Sequence, residues 1–492
     1  MGWFKNMIRN WLRIMPAQGQ SISIRESSTF EADAVRNQIW YRGDASELEQ
    51  LYTQIGPDGP GSSRFWAAAP PSGIRKMHSG LPAMLVDTLS YVVKSDLLDP
   101  EFADDHAAQS RWEEITADLD FVALVGKAVT DVLINGDGAF KIAVDTDLSK
   151  YPLVEFVPGS QVEYSFQRGV ITDICFKTVY HSGNKEYMLR EIYQKNRVYY
   201  ALYDGDKQVP MDRVPELSGL KPAAFTGDYI MAVPFKVYES AKYPGRGKSI
   251  FDTKTDVFDA HDETISQWMD ALRAGRVTKY IPIDMIPRNP ENGELYDVSA
   301  VNNFGTNFTA VESLMNETGK QGKIETVQPD IRYEAFLSTY TATLDMCLQG
   351  VISPATLGID IGKMSSGEAQ RERKDVTGNT RNAITAALEK VLPVLISAML
   401  KTYDNMSGSE IGHYEPKVTF GEYGAPDFDA RIKSLQAAAA GGLMSTESIV
   451  DELWGSSKDE EWKAKEVERL RQEKGLEEAT PPRVGDELND LA

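Results

Sequence analysis

Residues 249–272, SIFDTKTDVFDAHDETISQWMDAL, set Phe251, Phe258, Ile265 and Leu272 at intervals of seven. Seven residues make two helical turns, so these side chains share one stripe, and the stretch reads as a long helix packed lengthwise on other helices. Ser249 stands three positions before Asp252 at its start. The remaining faces carry Asp256, Asp259, Asp262, Glu263 and Asp270. So many carboxylates on one helix predict a face that meets water.

Just beyond, over residues 277–330, Ile281-Pro282, Ile286-Pro287, Asn289-Pro290 and Asn292-Gly293 mark turns that no helix survives. A small insert of short strands is expected there. Helical spacing resumes from Tyr333 through Phe336, Leu337, Tyr340, Leu344, Cys347 and Leu348. The central plan is therefore helix, insert, helix, with the two helices free to pair.

Toward the N-terminus, residues 139–238 change period. Short β-rich segments (140–144, 153–157, 170–178, 187–194 and 197–203) alternate with Gly, Asp, Asn and Ser turns, which predicts an antiparallel sheet region. Helices are expected before it, over 31–55, from Pro82 through Val92, and over 112–134 up to the turn Asn135-Gly136-Asp137-Gly138. A helical layer followed by a strand block gives an α+β fold.

On the C-terminal side, Ser365 three residues before Glu368 is a capping box for a helix from about 366 to 402, with a kink expected near Lys390 because Pro393 removes a hydrogen bond. A strand at 417–420 follows. Residues 427–474 read as two or three helices broken at Gly441-Gly442, one capped by Ser445, and the polar 475–492 as a disordered tail.

Among 492 residues the formal charge is -21, which argues against a surface built to grip nucleic acid. Cys175 and Cys347 read as buried thiols in a reducing, intracellular setting. No run approaches the roughly 20 apolar residues that cross a bilayer, and Lys5, Asn6, Arg9 and Asn10 interrupt any secretory signal, so a soluble protein is expected. Trp3, Phe4, Ile8, Trp11 and Leu12 have amphipathic helical spacing, suited to a protein partner more than to a membrane surface.

Gly245-Arg246-Gly247-Lys248-Ser249 ends like a phosphate-binding loop, but the pattern needs glycine at 242, where Lys242 stands. A nucleotide- or nucleic-acid-binding enzyme using Gly247-Lys248-Ser249 is the competing reading; a turn before a helix is favoured. Asp259, His261, Asp262 and Glu263 fan apart on one helix, so a solvated acidic face is favoured over a metal site, a cation between subunits being the alternative. No H-E-x-x-H and no G-x-S-x-G is present, and no catalytic, cofactor or metal residues are assigned. Lys363, beside Met364, Ser365 and Ser366 in a glycine-containing loop, reads either as a phosphate contact or as an exposed lysine.

Gly247-Lys248-Ser249-Ile250-Phe251-Asp252 leading into 259–268, then Ile352-Ser353-Pro354 to Leu357-Gly358 and 365–372, resembles the portal proteins of tailed phages. Gly136-Asp137-Gly138 before a strand and Gly442-Leu443-Met444-Ser445 before a late helix make it most similar to the branch typified by the portal of Bacillus phage SPP1. The order of these strings around the helix-insert-helix core carries the resemblance, which spans most of the chain.

The resemblance implies a non-enzymatic ring, usually dodecameric, at one capsid vertex of the virion, assembled in the host cytoplasm, through which double-stranded DNA is packaged and ejected. It implies a wing (1–248), stem helices (249–275 and 332–351), an intervening clip (276–331), a tunnel loop (352–366), a long kinked helix and strand returning to the wing (367–426) and a helical crown (427–474). DNA would pass Lys363, Met364, Ser365 and Ser366 and the acidic stem face. The clip, with Lys279, Tyr280, Asp284 and Arg288, would meet the terminase large subunit and later the head-tail adaptor. The wing would meet the major capsid protein and a scaffolding protein, with no membrane and no cofactor involved.

Overall fold

Gly43, at φ 69°, ends the first helix by donating its amide to the Ile39 carbonyl, so the expected stretch over 31–55 is two helices, α1 (Phe30–Arg42) and α2 (Ala45–Gln54). The computed structural model describes residues 28–54, 64–69, 73–103, 105–295, 307–311, 324–359 and 367–421, and then 432, 435–439, 443–455 and 460–473. These fall into two compact units, 1–421 and 422–492.

Helix α3 (Leu81–Ser95) carries Pro82 in its first turn, where a missing amide costs nothing. The helix expected over 112–134 is split: α4 (His106–Thr116) ends early, and Asp120 caps α5 (Phe121–Asn135) by accepting from the Ala123 amide. Leu85, Leu89 and Val93 of α3 and Val125, Val129 and Val132 of α5 are buried in one core, each such side chain contributing about 1.5–3 kcal/mol of apolar burial.

The strand block is antiparallel, as its alternation predicts. Strands β1 (Asp137–Ala143) and β2 (Leu153–Pro158) join β9 (Ala232–Lys236) in a sheet of order β2-β1-β9, with β1 in the centre. A second sheet runs β3 (Val162–Gln167), β4 (Val170–Ser182), β5 (Lys185–Gln194), β6 (Arg197–Asp204) and β7 (Lys207–Val209), while β8 (Ala223–Ala224) also pairs with β6. Strands β3, β7, β8 and β9 were not evident in the sequence; three span five residues or fewer or carry Pro234, and β3 turns outward at its end with exposed Phe166.

Helix α6 (Thr255–Ala274) starts six residues after Ser249. The Ser249 hydroxyl caps nothing at the helix start: it donates to the Leu133 carbonyl and accepts from the Phe251 amide, holding 249–254 in turns. The insert contains β10 (Thr278–Pro282), parallel to β11 (Asn307–Val311) and antiparallel to β12 (Glu325–Val327). Helix α7 (Tyr333–Leu348) returns, and α8 (Gly367–Ser407) contains Pro393. The expected strand at 417–420 is reduced to two bridges, Lys417 to Glu101 and Phe420 to Leu97.

The expectation that no run is apolar enough to cross a bilayer needs correction. Within α8, Val376–Ser407 is long and apolar enough by composition to cross a bilayer. Half of its most apolar window is buried within the fold, and Ile384, Leu388, Leu392, Leu395, Ile396 and Met399 are fully enclosed, which is the pattern of a central core helix.

In the second unit, α9 (Thr446–Trp454) is capped by Ser445, which accepts from the Ser448 amide, and α10 (Glu460–Glu473) packs on it through Trp454 and Trp462. The capping residue Ser365, the break at 441–442, the amphipathic segment at 3–12 and the tail 475–492 lie outside the described residues.

Candidate functional site

The phosphate-loop-like turn is built as a structural joint. Arg246 is largely buried and bonds the Asp137 carboxylate through Nη2 at 2.8 Å and Nε at 3.0 Å. Every amide that a phosphate would need is occupied: Gly247 N donates to Asp137 Oδ2 (2.7 Å), Lys248 N to the Tyr238 carbonyl (2.9 Å) and Ser249 N to Asp252 Oδ2 (3.1 Å). A Cβ on Gly247 would stand 2.0 Å from the Gly136 carbonyl oxygen, so glycine is present because two backbones touch. The nucleotide-binding reading of Gly247-Lys248-Ser249 is thereby removed, because a phosphate cradle requires free amides at a helix start.

Helices α6 and α7 pair antiparallel. Trp268 stacks on Phe336 with ring centroids 6.2 Å apart, and nearer the core His261 lies 5.0 Å from Tyr340, its Nδ1 2.9 Å from the Thr343 hydroxyl. Burial holds His261 below the usual imidazole range, against the opposing pull of Asp262. Lys254 closes the far end of α7 by donating Nζ to the carbonyls of Met346 and Gln349, each at 2.8 Å.

The acidic set divides. Asp259 and Asp262 are buried, which corrects the expectation of a solvated face. Asp259 accepts from the amides of Trp66 (2.6 Å) and Ala67 (3.0 Å), and burial pushes its carboxyl up to about 6. Asp262 binds His78 Nδ1 (2.6 Å) and the Ser79 amide (2.9 Å), while Ser266 Oγ accepts from the Met77 amide (2.9 Å). Positions 259, 262 and 266 share one helical face, so the segments around residues 66 and 78 lie along α6 as a strap. Asp256 is exposed, and Glu263 and Asp270 are half-exposed. Among the described residues no group of three His, Cys, Asp or Glu converges as a metal site.

In the insert, Lys279 and Tyr280 lie on the central strand β10, opposite Phe308 and Thr309 on one side and Thr326 and Glu325 on the other; both are half-exposed. Asp284 falls in the turn Ile283–Met285, and exposed Arg288 donates to the Gly293 carbonyl at 3.2 Å. Lys363, Met364, Ser365 and Ser366 lie outside the described residues; the loop before them carries Gly350 and Gly358 at positive φ. Sequence reasoning missed the Arg246–Asp137 pair and the strap. Only the glycines flanking Asp137 signalled a crowded turn.

The family described as "Phage portal protein, SPP1 Gp6-like" matches residues 98–479. Among solved structures, a chain of "Virion of native gene transfer agent (GTA) particle" is 10% identical with a TM-score of 0.42, over 85% of this chain and 93% of that one. A chain of "Neck of native GTA particle computed with C12 symmetry" is 11% identical with a TM-score of 0.43, over 76% and 89%. No curated protein matches the sequence.

Proposed function

Because the chain belongs to the SPP1 Gp6-like phage portal proteins, a structural and non-enzymatic family, we propose that copies of it close into a ring at one vertex of a virus particle, forming the channel for DNA packaging and ejection. The carrying observation is the antiparallel pair α6–α7 enclosing the three-stranded insert. In this reading the pair is the stem, residues 276–331 the clip, 1–248 with 367–426 the wing, 352–366 the tunnel loop and 427–474 the crown.

The chemistry suits a conduit. A wall that held phosphate tightly would stall a moving duplex, and a chain of net charge -21 supplies repulsion instead. With Asp259 and Asp262 tied inward, the stem carboxylates left for that role are Asp256, Glu263 and Asp270. Lys363 and its neighbours in the tunnel loop supply the transient contact. The terminase large subunit, and after it a head-tail adaptor, dock on the clip through Lys279, Tyr280, Asp284 and Arg288. The wing meets the major capsid protein and, during assembly, the scaffolding protein.

The test is the mass and outline of the purified protein, by light scattering and negative-stain microscopy. A closed ring of about a dozen subunits with a central hole is expected, since heterologous contacts that close give rings. A closed dimer would overturn the reading.

A further inference from the structure

Two apolar stripes run out of cover at the same end of the helix pair. Phe251 is fully buried in the turn ahead of α6, and along the helix the seven-residue stripe goes from fully buried Phe258 to half-buried Ile265 and then Leu272, 45% exposed. Along α7 the stripe goes from Leu348 and Leu344, at most 2% exposed, to Leu337 at 44% and Tyr333 at 60%. Met269, 39% exposed, extends the first stripe. At 100° per residue these positions lie on one flank of the pair. The opposite flank is a groove of about 430 Å³ in which the small side chains Ala260 and Thr264 of α6 and Ala335, Thr339 and Thr343 of α7 lie among Glu263, Gln267, Arg332 and Phe336.

We propose that the apolar flank of one subunit's α6–α7 pair seats in this groove of the next subunit, with Leu337 entering between Ala335 and Thr339 of its neighbour. This rests on the reading of the pair as the stem of a ring. Rotation about an axis along the helices keeps each residue at its own height, so a side chain meets the neighbour's residues of nearly the same number. Leu337 lies between Ala335 and Thr339 in height, and those two residues project to the other flank of α7. Large residues on one side and small ones on the other make a contact that propagates from copy to copy in one sense, as ring closure demands. Charge agrees: Arg332 borders the groove, and Glu334, exposed at almost the same height, projects toward the other flank.

Cysteine cross-linking of the full chain tests it, using Leu337→Cys with Thr339→Cys under mild oxidation. Two residues apart on one helix, these positions point away from each other and cannot bond within a subunit. The native thiols give little background, because burial pushes Cys175 up to about 11 and Cys347 up to about 12. The double variant should give a denaturing-gel ladder up to the closed ring, and each single variant only monomer. Dimers from Leu337→Cys alone would mean that like flanks meet, and would overturn the proposal. An intact ring by microscopy with no ladder would overturn it too, leaving the portal reading standing. A wild-type protein that forms no ring would remove both.

Discussion

Asp137 and Arg246, 109 positions apart, lock the first strand of the sheet to the turn that precedes α6: the guanidinium bonds both carboxylate oxygens, at 2.8 and 3.0 Å, and donates to the carbonyls of Gly159 and Val162 as well. Its plane also lies 3.8 Å from the Phe30 ring centroid. One side chain thus ties the first helix, two segments of the sheet region and the approach to α6.

Arg246→Ala should therefore lower stability by about 3–5 kcal/mol, because it strands a carboxylate that is 1% exposed. Arg246→Lys should recover little of this, since an ammonium has neither the planar fork nor the face that stacks on Phe30. Denaturant titration checks both. A loss under about 1 kcal/mol for the alanine variant would show that the pair is no keystone.

Nucleotide binding gives a second check on the same turn. With the amides of Gly247, Lys248 and Ser249 committed to Asp137, Tyr238 and Asp252, calorimetric titration with magnesium ATP should show no saturable heat, and Lys248→Ala should titrate like the wild type. A well-formed isotherm abolished by that substitution would contradict the joint.

The tunnel-loop reading predicts a separation of phenotypes. Lys363 follows Gly358 and Gly362 in the sequence, after the segment read as the stem, and removing one cation from a transient phosphate contact weakens that contact. Lys363→Ala should leave rings of normal size by light scattering and lower DNA packaging or retention. Failure of the rings to form would make the loop structural.

The helix-insert-helix plan was legible because it rests on local signals: seven-residue spacing in 251–272, three prolines and an Asn-Gly in 282–293, and renewed helical spacing from Tyr333. The alternating strands and the Ser445 cap were legible for the same reason. What failed was whatever depends on distant partners. Asp259 and Asp262 look like solvated carboxylates until residues 66, 67, 78 and 79 are laid against them, more than 180 positions away. The long apolar composition of α8 reads the same whether protein or lipid covers it. The break between α4 and α5 turned on Asp120 claiming a cap within a continuous helical pattern.

The strap on α6 predicts a pH dependence with a defined sign. Burial pushes the Asp259 carboxyl up to about 6 from its ordinary 3.8, while the amides of Ala67 and Trp66 pull it back. Between these values the folded chain holds a proton that the unfolded chain has released, so this contribution to stability is full below about pH 4, falls as pH rises and is gone above about 6. Two units correspond to about 3 kcal/mol, an upper bound because a partly hydrated carboxylate relaxes. Burial pushes Asp131 up to about 6 as well, so the wild-type slope alone does not isolate Asp259. The difference from Asp259→Asn does, since the amide keeps one acceptor for the strap and cannot titrate. Stability measured by denaturant at pH 4.5 and pH 7 should drop more across that interval in the wild type than in the variant. Equal drops would mean that the strap amides hold Asp259 ionised throughout, and that the strap is indifferent to pH.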